Sequence, residues 1–175
     1  MLSFARVRAL AIVSLLFLGA VIAVALALNR EDGAAIAEAS CPEGSVLADL
    51  TLRDARDITI NVFNTTDRAG LATQVGENFA NRDFQVNEIG DTSETVDGVA
   101  VLRYGPSAVG AAHVLQAYFL NNAVEEFDIE RQDDVVDILI GNQFRQLATE
   151  TEVRQSIAAL GNAVAPAGTC AQSDH

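Results

Sequence analysis

Between Ile58 and Ala72 the chain reads I-T-I-N-V-F-N-T-T-D-R-A-G-L-A, and this stretch limits the architecture more than any other. Ile58, Ile60 and Val62 alternate with Thr59 and Asn61. A period of two marks a strand with one buried and one wet face. Asn64-Thr65-Thr66-Asp67 follows, rich in side chains that bond their own backbone. Thr65, Thr66 or Asp67 is then placed to cap a helix. Leu71, Val75 and Phe79 recur at i, i+4 and i+8, the stripe of an amphipathic helix. Gly70 is read as the point where backbone passes close to a neighbouring strand. The glycine content is too low for a dinucleotide fingerprint, and no G-K-[ST] follows, so the turn is structural rather than a phosphate cradle.

The same unit recurs downstream. Phe84, Val86 and Glu88 alternate with Gln85, Asn87 and Ile89, giving a second one-sided strand, and a polar loop runs from Gly90 to Gly98. Val99 to Tyr104 is more apolar, as a central strand should be. Gly105-Pro106-Ser107 breaks it and starts a second helix with Ser107 as N-cap. Ala108, Ala111, Ala112, Leu115 and Phe119 form the inner stripe of that helix, and His113 falls on its other side. A short fourth strand is expected around Phe127 and Ile129. A fifth runs through Val136, Ile138 and Ile140 to Gly141. Thr149 or Thr151 caps a last helix carrying Val153, Ile157 and Leu160, which Gly161 stops.

Strands with one apolar and one polar face do not belong to a sheet covered on both sides. The expected fold is therefore α/β: a two-layer mixed sheet of four to five strands with its helices mainly on one face. The first crossover should be right-handed, making strands one and two parallel.

The N-terminus predicts delivery through a membrane. Arg6 and Arg8 precede an uncharged run from Ala9 to Leu28, and Arg30, Glu31 and Asp32 end it. Twenty residues at helical rise cross the hydrocarbon core. The basic end stays in the cytoplasm, leaving the rest outside. A cleaved signal peptide, the rival reading, would carry a shorter apolar region. The expected organisation is a cytoplasmic 1–8, a transmembrane helix at 9–28, a tether and cysteine-bearing segment at 29–57, a domain at 58–147, and a helix and tail at 148–175. Cys41 and Cys170 are the only cysteines and bracket the outer region. In an exported domain two such cysteines read most simply as one disulfide. A redox pair would favour C-x-x-C spacing.

The net charge of −13 argues against nucleic acid, whose phosphates would be repelled. Every basic residue is arginine. His113 and His175 are the only histidines, so no metal shell and no cofactor is expected. No nucleophile sits at helical spacing from His113, and no catalytic residue is assigned. Asp128, Glu130, Asp133, Asp134 and Asp137 cluster, but lack the D-x-[DN]-x-[DN]-G loop of a calcium site and read as a solvated run. The candidate partner face is the polar side of the sheet, with Thr59, Asn61, Gln85, Asn87 and Asp137 pointing away from the helices.

Four motifs in order resemble a known family. N-T-T-x-R-x-G-L-A at 64–72, R-x-F-x-V at 82–86, V-L-R-Y-G-P at 101–106 and D-I-L-I-G-N-Q-F at 137–144 are similar to the LytR C-terminal domain. Asp83 stands where the family often has glycine before the aromatic residue, and Thr65 where glycine often follows the asparagine. Asn64, Thr65, Gly70, Leu71, Ala72, Tyr104 and Gly141 are the motif residues read as structural. The apolar run, the early Cys-Pro and the late Cys together resemble actinobacterial envelope-integrity members of that family. The resemblance implies a membrane-anchored, non-catalytic module outside the cell, bound to an envelope protein or a cell-wall polymer. The alternatives are a wall-modifying enzyme and a calcium-dependent module.

Overall fold

The computed structural model describes Cys41 and residues 43–172. The described residues from 43 onward group as one compact unit. The expected transmembrane segment at 9–28 lies outside the described residues; among those, no helix is long and apolar enough to cross a membrane. The elements are β1 (Val46–Ala48), β2 (Thr59–Asn64), α1 (Leu71–Ala80), β3 (Gln85–Asp91), β4 (Ala100–Tyr104), α2 (Val109–Tyr118), β5 (Ala123–Phe127), β6 (Val135–Ile140), α3 (Glu150–Leu160) and β7 (Thr169–Ala171).

Five strands form a mixed sheet in the order β3-β2-β6-β4-β5. β2 is parallel to both β3 and β6, whereas β4 is antiparallel to β6 and parallel to β5. The sheet thus holds two β-α-β crossovers, β2-α1-β3 and β4-α2-β5. Their first strands run in opposite directions, and the crossovers step in opposite directions across the sheet. Two right-handed crossovers with that relation place both helices on the same face. The burial agrees: Ile60, Val62, Leu102, Val136, Ile138 and Ile140 share one core with Leu71, Val75 and Phe79 of α1 and Ala111, Ala112 and Leu115 of α2. Phe79 is fully buried and meets Phe84 edge-on at 5.1 Å and Tyr118 at 5.6 Å. Truncating such an aromatic residue costs about 3–5 kcal/mol.

α3 packs on α2 through a smaller cluster of Ala117, Ala148 and Val153. It begins with a complete capping box: the Thr149 side chain accepts from the Glu152 amide, and Glu152 Oε2 accepts from the Thr149 amide at 2.7 Å. Gly161 ends it with φ +72°. β1 and β7 form a separate parallel pair joining the two ends of the unit. Cys41 and Cys170 are both disulfide-bonded and the chain has no third cysteine, so they are bonded to each other.

Local details depart from the sequence expectations for physical reasons. A bulge between Ile60 and Asn61 in the β2–β3 register leaves Asn87 as the extra residue, since Ile60 opposes Val86 and Asn61 opposes Glu88. An extra residue reverses the alternation beyond it. Ile89 therefore turns to the helix side, where its Cδ1 would lie 2.6 Å from a Cβ built on Gly76. The close approach of strand and helix is thus at Gly76, not Gly70. A side chain on Gly70 would meet nothing; that position needs glycine because its φ is +74°. No side chain caps α1; Thr65 and Thr66 bond elsewhere. Ser107 does not cap α2 either: Pro106–Ala108 is a 3-10 turn feeding directly into it. The fourth strand lies at Ala123–Phe127, ahead of the expected Phe127 and Ile129.

Candidate functional site

Two surfaces emerge from these elements. The first is the sheet face turned away from the helices. The register sets Asn61 beside Asp137, Asp137 beside Arg103, and Arg103 beside Glu126, so one polar row crosses β2, β6, β4 and β5. Asn87 Nδ2 donates to Asn61 Oδ1 at 2.9 Å, and Asn61 Nδ2 donates to Asp137 Oδ1 at 2.7 Å. Arg131 Nη1 donates to Asp137 Oδ2 at 2.7 Å, and its Nε to Asp133 Oδ1 at 2.9 Å. Arg103 donates through Nε to Glu126 at 2.9 Å and through Nη2 to Glu94 at 3.0 Å. The Glu94 and Glu126 bonds hold the Arg103 guanidinium far above its ordinary range, and Arg103 in turn holds Glu94 below the usual carboxylate range. Asn61, Asn87 and Asp137 are thus brought together into one row. Gln85 stands apart from it, its amide given to the Arg56 carbonyl at 2.6 Å, and Thr59 lies on the register line of Gln85 and Val135.

The acidic run at 128–137 is also engaged. Asp128 accepts the Glu130 amide at 2.9 Å, Asp133 and Asp137 hold Arg131, and Asp134 meets Arg53 at 3.2 Å. Among the described residues no group of three His, Cys, Asp or Glu side chains is arranged to hold a metal ion. His113 is half-buried, and its Nε2 donates to the Gly161 carbonyl at 3.0 Å. That contact joins α2 to the end of α3 and gives the ring a structural task the sequence did not reveal.

Asn64, Thr65 and Gly141 converge at the C-terminal ends of β2 and β6, whereas Tyr104, which ends the antiparallel β4, lies at the other end of the sheet. Asn64, 3% exposed, donates from Nδ2 to the Arg68 carbonyl at 3.0 Å and to Asp91 Oδ1 at 2.9 Å. Its Oδ1 accepts the Thr66 amide at 3.0 Å and the Thr66 hydroxyl at 2.8 Å. Thr65 Oγ1 donates to the Ile140 carbonyl at 2.8 Å and accepts the Val96 amide at 3.2 Å. Gly141 sits in the same junction, where a Cβ would collide with the Gly98 carbonyl oxygen. Leu71 and Ala72 begin the buried stripe of α1. Tyr104, 4% exposed, meets Phe127 at 5.8 Å, and burial with the nearby Glu125 charge pushes its phenol up to about 12.

The second surface is a cleft of about 290 Å³ between α1 and the loop after β6. Gln74, Val75, Asn78 and Arg82 line one wall, and Phe144, Arg145, Gln146 and Leu147 the other. The loop is gripped through its carbonyls: Arg68 Nη2 donates to Phe144 O at 2.9 Å and Arg82 Nη1 to Ala148 O at 2.7 Å. The Arg82 guanidinium also lies 5.5 Å from the centre of the Tyr118 ring. None of these cleft contacts was legible from spacing, because the two walls are about seventy residues apart in the chain.

Residues 57–144 match the family described as LytR cell envelope-related transcriptional attenuator, LytR_C. No protein of curated function matches the chain significantly. In fold the chain is similar to the crystal structure of the soluble domain of a conserved hypothetical secreted protein from Mycobacterium marinum. The two are 20% identical with a TM-score of 0.53, over 67% of this chain and 77% of that one.

Proposed function

We propose, from the premise that the chain belongs to the LytR_C family, that it is a non-catalytic, extracytoplasmic module supporting the cell envelope by binding a wall polymer or a membrane protein. The observation that carries this reading is the extent of the match. Residues 57–144 contain the entire five-stranded sheet and both crossover helices, so the envelope-related module is the body of the domain. The disulfide supports an oxidising compartment outside the cytoplasm, as does the description of the structural neighbour as secreted. The apolar run at 9–28 would tether the domain to the membrane. His113 is spent on the Gly161 carbonyl, which supports binding over acid–base chemistry.

Complementation of a deletion strain tests the reading. Loss of the gene should sensitise cells to envelope stress, and His113→Ala should restore resistance. Normal abundance of that variant with lost complementation would overturn the non-catalytic reading. A reporter active only in the cytoplasm, fused after His175, should stay silent. The calcium reading predicts a melting temperature that falls with chelator; no change is expected, because Asp133, Asp134 and Asp137 are held by arginines.

A further inference from the structure

We infer that the cleft between α1 and residues 144–147 is the ligand site of this binding module, and that it takes a phosphorylated saccharide. The inference rests on the binding reading above and names its place and chemistry.

Arg56 and Arg154 are exposed outside the cleft and have no ion pair among the described residues; the other arginines of the domain are of two kinds. Arg53, Arg103 and Arg131 are each paired with two carboxylates. Around the cleft the pattern is different. Arg68 and Arg82 donate to main-chain carbonyls, and among the described residues neither has a carboxylate in ion-pair contact. Arg145 lines the cleft, is exposed, and has no ion-pair partner among the described residues. No carboxylate is among the cleft-lining residues. In a chain of net charge −13, a cleft lined by Arg82 and Arg145 with no acid in its walls is a local reversal of sign. Such a reversal concentrates anions.

The other lining residues narrow the ligand further. Gln74, Asn78 and Gln146 offer primary amides, each able to donate and to accept, as sugar hydroxyls require. Val75, Phe144 and Leu147 are almost fully buried beneath the cleft and close its base, which leaves the accessible surface mainly polar. A guanidinium fork matches two oxygens of one phosphate group. Arg82 is already oriented by Ala148 and Tyr118, so little freedom is lost when it engages a ligand. The volume of about 290 Å³ fits one sugar unit with its phosphate better than a large polymer segment. The polar row on the sheet face contrasts with this: its amides and charges already bond one another.

The test is a titration of the full chain in detergent with glucose 1-phosphate, followed through backbone amide shifts. Saturable shifts confined to residues 74–82 and 144–147 are expected, weakening as salt screens the charge. Arg145→Ala should weaken binding at least about tenfold, and Arg154→Ala, which removes an exposed arginine of α3 outside the cleft, should leave it unchanged. Glucose should bind far more weakly. Inorganic phosphate binding as tightly as the sugar phosphate would overturn the saccharide assignment. Shifts only with vesicles containing phosphatidylinositol would replace the soluble source by a lipid headgroup and overturn the assignment to a wall saccharide. Absence of saturable shifts up to about 10 mM, or shifts on the sheet face, would overturn the site. Those failures leave complementation by His113→Ala untouched, so the site and the module reading fail separately.

Discussion

Asn64→Ala is the substitution that most directly tests how the motif junction holds the fold. The Asn64 amide makes four hydrogen bonds at 2.8–3.0 Å, to the Arg68 carbonyl, Asp91, the Thr66 amide and the Thr66 hydroxyl. At about 1 kcal/mol net each, losing all four would cost about 4 kcal/mol. Asp91 and Arg68 are exposed and Thr66 is half-buried, so these partners regain water when the amide is removed. About 2 kcal/mol of destabilisation is therefore expected, or a melting point lower by about 5–10 °C for a domain of this size. Urea unfolding of the full chain with the disulfide oxidised, followed by circular dichroism, measures it. Asn64→Asp gives a sharper control. It keeps the acceptor for Thr66, loses the donor, and sets a second carboxylate against Asp91. It should be at least as destabilising at neutral pH and recover partly in acid, where one of the pair takes a proton. Adding Asp91→Asn to Asn64→Asp restores a donor opposite an acceptor and should return about half the loss. A change under about 0.5 kcal/mol for Asn64→Ala, or no recovery in the double variant, would refute the assignment of stability to this amide.

Three further expectations follow from the same geometry. Gly141→Val should prevent accumulation of folded protein, because its side chain would strike the Gly98 carbonyl; protease resistance in cell extracts checks it. Thr149→Ala should cost about 0.5–2 kcal/mol by opening the capping box of α3, with amide exchange rising first in residues 150–153. Burial raises both tyrosines, Tyr104 to about 12. A phenol whose folded pKa is raised contributes stability fully present below its unfolded value of about 10 and lost as pH rises through the folded value. Ultraviolet titration should thus show less tyrosinate at pH 10 in the folded protein than in the urea-unfolded chain, and Tyr104→Phe should flatten the loss of stability above about pH 10.

The parts of the fold legible in the sequence are those where one periodicity governs a whole element. Ile60 and Val62, or Leu71, Val75 and Phe79, are all buried because a two-residue or 3.6-residue repeat faced one core without interruption. The misread parts have a local cause. Ile89 changed sides because one extra residue at Asn87 is invisible to alternation. β5 was displaced because an edge strand, exposed at Val124, Glu125 and Glu126, has little apolar signature. The 3-10 turn at Pro106 removed the need for a Ser107 cap. The left-handed φ of +69° at Asp83 accounts for the glycine the family often places there. Of the candidate sites, the polar face was legible because it is the complement of the core pattern. The arginine cleft was not, because its walls come from α1 and a loop about seventy residues later.

The pairing of β1 with β7 also has a mechanical meaning. Val46–Ala48 and Thr169–Ala171 run side by side in parallel, so the segment entering the unit and the segment leaving it end at opposite ends of one short ladder. Because Cys41 precedes β1 and Cys170 lies within β7, tension between the two termini would pass from one cysteine to the other through their disulfide. The ladder and the five-stranded sheet both lie within the loop that this bond closes, so they would carry none of that load while it is intact. Only after reduction would the same pull draw β1 and β7 lengthwise past each other and load their hydrogen bonds together.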